Sequence, residues 1–271
     1  MYLGTDAKGN QSPPTRFVTQ RDYGRFPISP DKDKPYHGPG YRLDWPDNSG
    51  NCATCHAPAA AINKPFSTHM GELDEVGAEG VNCDFCHKIA AVALDDETGL
   101  PLPNRPGTLS YEFHRPPDQH QYFASPFADA RGGGSFVPAY RESQYCAPCH
   151  HAVFWDTVVY DSYGEWLASD FSHPETGRTC QSCHMTPRGT EVFALPSVGG
   201  VEHPPEEVFS HDMSIAKLLT SSATMVVSAE IKGGALEVTV GINNDQTGHH
   251  LPTGSPMRHL ILVVEAKDEA G

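Results

Sequence analysis

Apolar and polar residues alternate along this chain only in its last stretch. Met225 to Lys232, Leu236 to Asn243 and Leu260 to Lys267 each alternate and are rich in Val, Ile and Leu, a period that predicts strands. Gly233-Gly234 between the first two predicts a hairpin turn. Three strands are few for a free-standing β domain, so the segment is expected to be incomplete or to pair with something else. Two earlier stretches carry a helical period. Tyr160 to Asp170 places Tyr160, Tyr163, Trp166 and Leu167 on one face. His211 to Leu219 places Ile215, Leu218 and Leu219 together behind Ser210 as N-cap. Residues 1–50 have neither period. They are broken by Ser12-Pro13-Pro14 and by Ser29-Pro-Asp-Lys-Asp-Lys-Pro35, and predict an extended arm. Arg131-Gly-Gly-Gly134 predicts a loop.

Composition sharpens this picture. Only 38% of the 271 residues are hydrophobic, and Gly (25) and Pro (24) are both abundant. Mean hydropathy is -0.44. Such a chain either stays disordered or has part of its core supplied by something other than side chains. Apolar runs such as Leu260 to Val264 are only a strand's worth, so no transmembrane segment is expected. Met1 to Asn10 lacks the charged-then-apolar pattern of a signal peptide, as a mature or trimmed chain would. The net charge of -15 argues against nucleic acid or an anionic membrane as partner.

The cysteines identify the missing material. All eight fall into four pairs: Cys52-Ala-Thr-Cys55-His56, Cys83-Asp-Phe-Cys86-His87, Cys146-Ala-Pro-Cys149-His150 and Cys180-Gln-Ser-Cys183-His184. Each reads C-x-x-C-H, the attachment pattern of c-type haem. Two thiols one turn apart add to the two vinyl groups of one porphyrin, and the next imidazole sits under the iron as proximal ligand. Zinc ribbons and redox dithiols also use C-x-x-C, but neither needs His after the second Cys. A disulfide framework does not explain the histidines either. With 15 His in the chain, four such coincidences have a chance on the order of 10⁻⁵. The expected cofactors are therefore four haem c groups, which take the net charge to about -19 and favour basic redox partners. Covalent haem attachment takes place outside the cytoplasmic membrane, so an extracytoplasmic location is expected, whether periplasmic, cell-surface or extracellular.

A low-spin haem needs a second axial ligand. Eleven histidines remain after the proximal four. His69 lies between the first two motifs, within reach of a neighbouring haem. His211 opens the expected helix. His249 lies in Thr247-Gly-His-His-Leu-Pro-Thr-Gly254, a loop stiffened by Gly and Pro, with His250 as its substitute. The fourth ligand is open. His114 is preferred slightly over His120, with His203, His37 and His173 as alternatives. His151 follows a proximal ligand directly and can serve only a different haem. Met70 and Met213 read as packing, so bis-His ligation and low potentials are expected.

With these residues laid out, the chain resembles the superfamily of bacterial and archaeal multihaem cytochromes c that includes the cytochrome c554-like proteins. The resemblance runs from about Asn51 onward. It rests on Gly80-Val-Asn-Cys-Asp-Phe-Cys-His87, on Tyr163-Gly-Glu-Trp-Leu-Ala-Ser169 leading into Thr179-Cys-Gln-Ser-Cys-His-Met185, and on the Thr247–Gly254 loop. It implies haems in van der Waals contact, mostly bis-His ligation and a C-terminal β-sandwich-like segment. The loop containing His249 looks like that family's haem-ligand loop.

The expected fold is a mostly irregular and α multihaem cytochrome c domain organised by four c-type haems, followed by a small antiparallel β segment. The expected divisions are an arm over 1–50, a tetrahaem domain over 51–222 and the β segment over 223–271. The expected function is electron transfer rather than catalysis, with other multihaem cytochromes as redox partners. A homopolymer is a further candidate, since some extracellular tetrahaem cytochromes form conductive filaments and the loop-rich arm and incomplete β segment would suit exchange between subunits. The alternative is an oxidoreductase of the nitrite or hydroxylamine type with one open haem site.

Overall fold

The computed structural model describes residues 52–68, 73–115, 123–128, 136–154, 157–187, 189, 192, 195–213, 216–254 and 258–267. The expected arm, the loop at 131–134 and the ligand candidates His37, His69 and His120 lie outside these residues. Two compact units are present, Met1–Cys149 and His150–Gly271, and the third C-x-x-C-H motif runs across the division.

In the first unit the helices are single turns. They are α1 (Ala53–His56), α2 (Pro58–Ala61), α3 (Glu75–Ala78), α4 (Cys83–Cys86) and α5 (Ala147–His150), which ends on the first residue of the second unit. Helices this short do not stand alone in water, so each needs local bonds and packing. Two have side-chain caps. Asp74 Oδ1 accepts the Gly77 N–H at 2.7 Å, and Asn82 Oδ1 accepts the Phe85 N–H at 2.9 Å. The far end of α4 is also satisfied, because the Tyr140 and Tyr145 hydroxyls both donate to the Cys86 carbonyl, at 2.6 and 2.8 Å.

Packing here is close because the residues are small. Ala53, Ala57 and Ala61 are fully buried at four-residue spacing. Gly107 adopts φ +55°, and a Cβ there would run into the Thr54 carbonyl, so its backbone lies directly against α1. Phe85 and Ile89 are the large apolar side chains of this core. Phe85 meets Tyr111 and Phe113 at 6.0 and 5.5 Å between ring centres. Those aromatics belong to β2 (Tyr111–Phe113), which pairs antiparallel with β1 (Ile89–Val92).

The second unit opens with a hairpin of β3 (Ala152–Phe154) and β4 (Thr157–Tyr160), followed by α6 (Ser162–Leu167) and α7 (Cys180–His184). The helix expected from Tyr160 therefore starts later, because Tyr160 is the last residue of β4. Tyr163 is buried, as the pattern requires, and stacks on Trp166 at 5.6 Å. The helix expected from His211 is described only over α8 (Ala216–Leu219). Ser210 Oγ accepts the Asp212 N–H at 2.9 Å, and 211–213 are irregular.

The expected hairpin forms between β5 (Thr224–Lys232) and β6 (Ala235–Asn243), with Lys232 opposite Ala235. Gly233 and Gly234 turn it at φ +58° and +83°. Residues 260–267, expected as a third strand, are in no ladder among the described residues, and Leu260 to Val264 are exposed. No helix among the described residues is long and apolar enough to cross a membrane.

Two glycines test this account. Gly107→Ala meets both left-handed backbone strain and the Thr54 carbonyl, so it should cost about 2 kcal/mol or more in a denaturant melt. Gly233→Ala has the same backbone strain with nothing within 4 Å of the added Cβ, and should cost about 1 kcal/mol.

Candidate haem-binding sites

Each C-x-x-C-H places its two thiols on one turn of helix, with the histidine at or just past the end. Local sequence sets this up. The residue before the first cysteine caps the helix in two motifs: Asn82 does so for α4, and Thr179 Oγ1 accepts the Ser182 N–H at 3.2 Å for α7. None of the eight cysteines is joined in a disulfide.

The first unit gathers cysteines from its three motifs. Cys55 Sγ lies 3.8 Å from the Pro148 carbonyl, and Tyr111 Oη lies 3.9 Å from Cys149 Sγ. The Cys149 thiol is pushed up by the adjacent Cys55 thiol and by burial. Burial raises Cys86 and pushes Cys52 up to about 11. A redox dithiol works through a depressed thiol pKa, so these shifts run against that chemistry. Among the described residues no group of three or more His, Cys, Asp and Glu is arranged to hold a bare metal ion. A haem iron asks less of the protein, two axial ligands on opposite faces.

The proximal histidines have the surroundings a ligand needs. His87 Nδ1 donates to the Ala124 carbonyl at 2.7 Å, which fixes the tautomer and turns Nε2 the other way. Its ring lies between Tyr140 and Phe123, with centres 5.6 and 5.5 Å away. His150 is accessible to solvent, yet burial holds its pKa below the ordinary value, with His184, Arg258 and His249 acting the same way. Burial, then His249, also lowers His184. Neutral imidazole is the form that binds a metal.

The second unit holds the most informative pair. The His184 and His249 rings lie 6.2 Å apart between centres, with planes 22° from parallel. Two iron–imidazole bonds of about 2 Å, with about 1.1 Å more from each nitrogen to its ring centre, put two axial imidazoles roughly 6 Å apart. His249 Nδ1 donates to the His250 carbonyl at 3.0 Å, which leaves Nε2 for a metal. The donor set therefore fits a bis-His haem at the fourth motif.

Glu165 on α6 holds this loop. Its Oε2 accepts the His250 N–H at 2.9 Å and the Thr253 hydroxyl at 2.5 Å, while Oε1 meets His250 Nδ1 at 3.0 Å. Gly248 lets the loop lie flat, since a Cβ there would sit 2.9 Å from Phe171 and 3.0 Å from Trp166. His250, the substitute candidate, is thus occupied by Glu165 and is mostly exposed. Nothing in the sequence marked Glu165, because it lies 85 residues from its main partner.

His114, His173 and His211 are exposed. His173 Nδ1 accepts the Glu175 N–H at 3.3 Å. His203 is half-buried.

Glu165→Ala removes the acceptor for both the His250 amide and the Thr253 hydroxyl. Amide exchange over the 247–254 loop should accelerate about 30-fold, equivalent to about 2 kcal/mol, with little change in the β5–β6 hairpin. Comparison of the chain with protein-family models, curated proteins and solved structures finds no match.

Proposed function

We propose that this chain is a tetrahaem c-type cytochrome that transfers electrons outside the cytoplasmic membrane. The observation that carries the reading is the pairing of His249 with His184, 6.2 Å apart, beside one of four C-x-x-C-H motifs that use every cysteine. When bound, each haem supplies a one-electron iron couple. The chain's own part is to hold, orient and shield. The eight cysteines anchor the porphyrins, and His56, His87, His150 and His184 provide the proximal nitrogens. Backbone carbonyls of Ala124 and His250 fix two imidazole tautomers. Iron with two imidazole ligands has no open position, which favours a carrier over a catalyst. The net charge of -15 favours basic redox partners.

Haem count and ligation test this together. Mass spectrometry of the protein made in a host able to attach haem c should give four haems, and low-temperature EPR should give only low-spin ferric signals. Three haems or fewer contradict the reading. The reduced protein should not bind carbon monoxide; binding would instead favour an oxidoreductase with an open haem.

His249→Ala should convert one haem in four from low to high spin and leave the haem count unchanged. His249→Met should keep that haem low-spin and raise its potential, as methionine ligation does. Stepwise redox titration followed by absorbance reads both outcomes.

A further inference from the structure

The register of the β5–β6 hairpin sorts its side chains by face. Residues opposite each other in an antiparallel pair lie on one side of the sheet, and residues two apart share that side. One face therefore carries the rungs Met225–Ile242, Val227–Val240, Ala229–Val238 and Ile231–Leu236, all of them apolar. The opposite face carries all the charge of the hairpin, with Lys232 bridged to Glu230 and Glu237. Such alternation over both strands is the pattern of a sheet with one buried face. Here that face is open. Met225 is 62% exposed and Ile231 79%, and even Val238 and Val240 are only half-buried. Two strands alone are marginal in water, so the face needs a cover.

Charge and area say what the cover is. The face is uncharged from end to end, so its complement is another uncharged apolar face. A second copy of the hairpin offers one of the same length and twist, and twisted sheets stack face to face about 10 Å apart. The net charge of -15 opposes contact between copies in general. In this arrangement the charged residues of both hairpins point away from the contact, so it adds little repulsion. The eight side chains of the four rungs present on the order of 500 Å². Two such faces together bury about 1,000 Å², the lower end of the range for specific association, which makes a reversible dimer.

We propose that the apolar face of the β5–β6 hairpin is a self-association surface on which two copies of this chain pack as a twofold dimer. The contact needs no haem, so it stands or falls separately from the electron-transfer reading. Sedimentation velocity of the full chain as purified, between about 1 and 100 μM, should show the mass rise from monomer to dimer and stop there, because a twofold contact closes on itself. Val227→Glu puts a carboxylate in the middle of the face and should weaken the dimer by about a hundredfold. Val226→Glu, on the opposite face of the same strand, should leave it intact. If Val227→Glu does not accumulate, amide exchange of the wild-type protein decides. Amides of 224–243 should slow about tenfold from the low to the high concentration, while those of 89–113 keep their rates. A protein that stays monomeric at about 100 μM overturns the proposal, as it would if Leu260 to Val264 of the same chain covered the face. So does a dimer that survives Val227→Glu, or hairpin exchange that does not depend on concentration.

Discussion

The fold is constrained by how little its own side chains can bury. Among the described residues the fully buried apolar positions are mainly alanines, and Phe85, Ile89 and Tyr163 are the bulky members. The helices that carry the cysteines are one turn long. Such turns have an unfavourable nucleation cost and too few internal bonds to offset it. Two of them are held from outside by capping side chains, Asn82 and Thr179. The Cys86 carbonyl, with two tyrosine hydroxyls on it, is the clearest case. Covalently attached porphyrins, as proposed, would add a large apolar surface where the chain has only small residues to offer.

The second dependence is on Glu165. A loop of Gly, Pro and Thr has no secondary structure to fix a side chain, so the direction of His249 has to be set by bonds to its neighbours. Glu165 supplies them from a short helix whose Tyr163 is buried. Gly248 removes the side chain that would keep the loop off Phe171 and Trp166. One carboxylate and one missing Cβ thus determine which imidazole of the His249-His250 pair faces His184.

How much of this was legible in the sequence follows the range of the interaction responsible. The hairpin at Gly233-Gly234 was legible because both strands and the turn are local. So were the helical turns of the motifs. The helix placed at His211 was not. Ser210 makes a local bond to the Asp212 N–H, yet 211–213 stay irregular, which a good capping residue does not foretell. The Tyr160 face failed by two residues because a strand ends there. Glu165, Gly107 and the tyrosines over Cys86 were invisible, since their partners lie 50 or more residues away in the chain.

The two His-His dipeptides bring these threads together. In each, one imidazole is held by a carboxylate: His151 by Asp161, and His250 by Glu165. The other member, His150 or His249, lies among the histidines around His184. The carboxylate does different work in the two cases, and burial tells them apart. The His250 side chain is 80% exposed, so water satisfies its remaining nitrogen and the contact acts as a loop anchor. The His151 side chain is 5% exposed, so its bond to Asp161 is shielded from water. The same pair of residue types therefore anchors an exposed loop at one site and clamps a buried ring at the other.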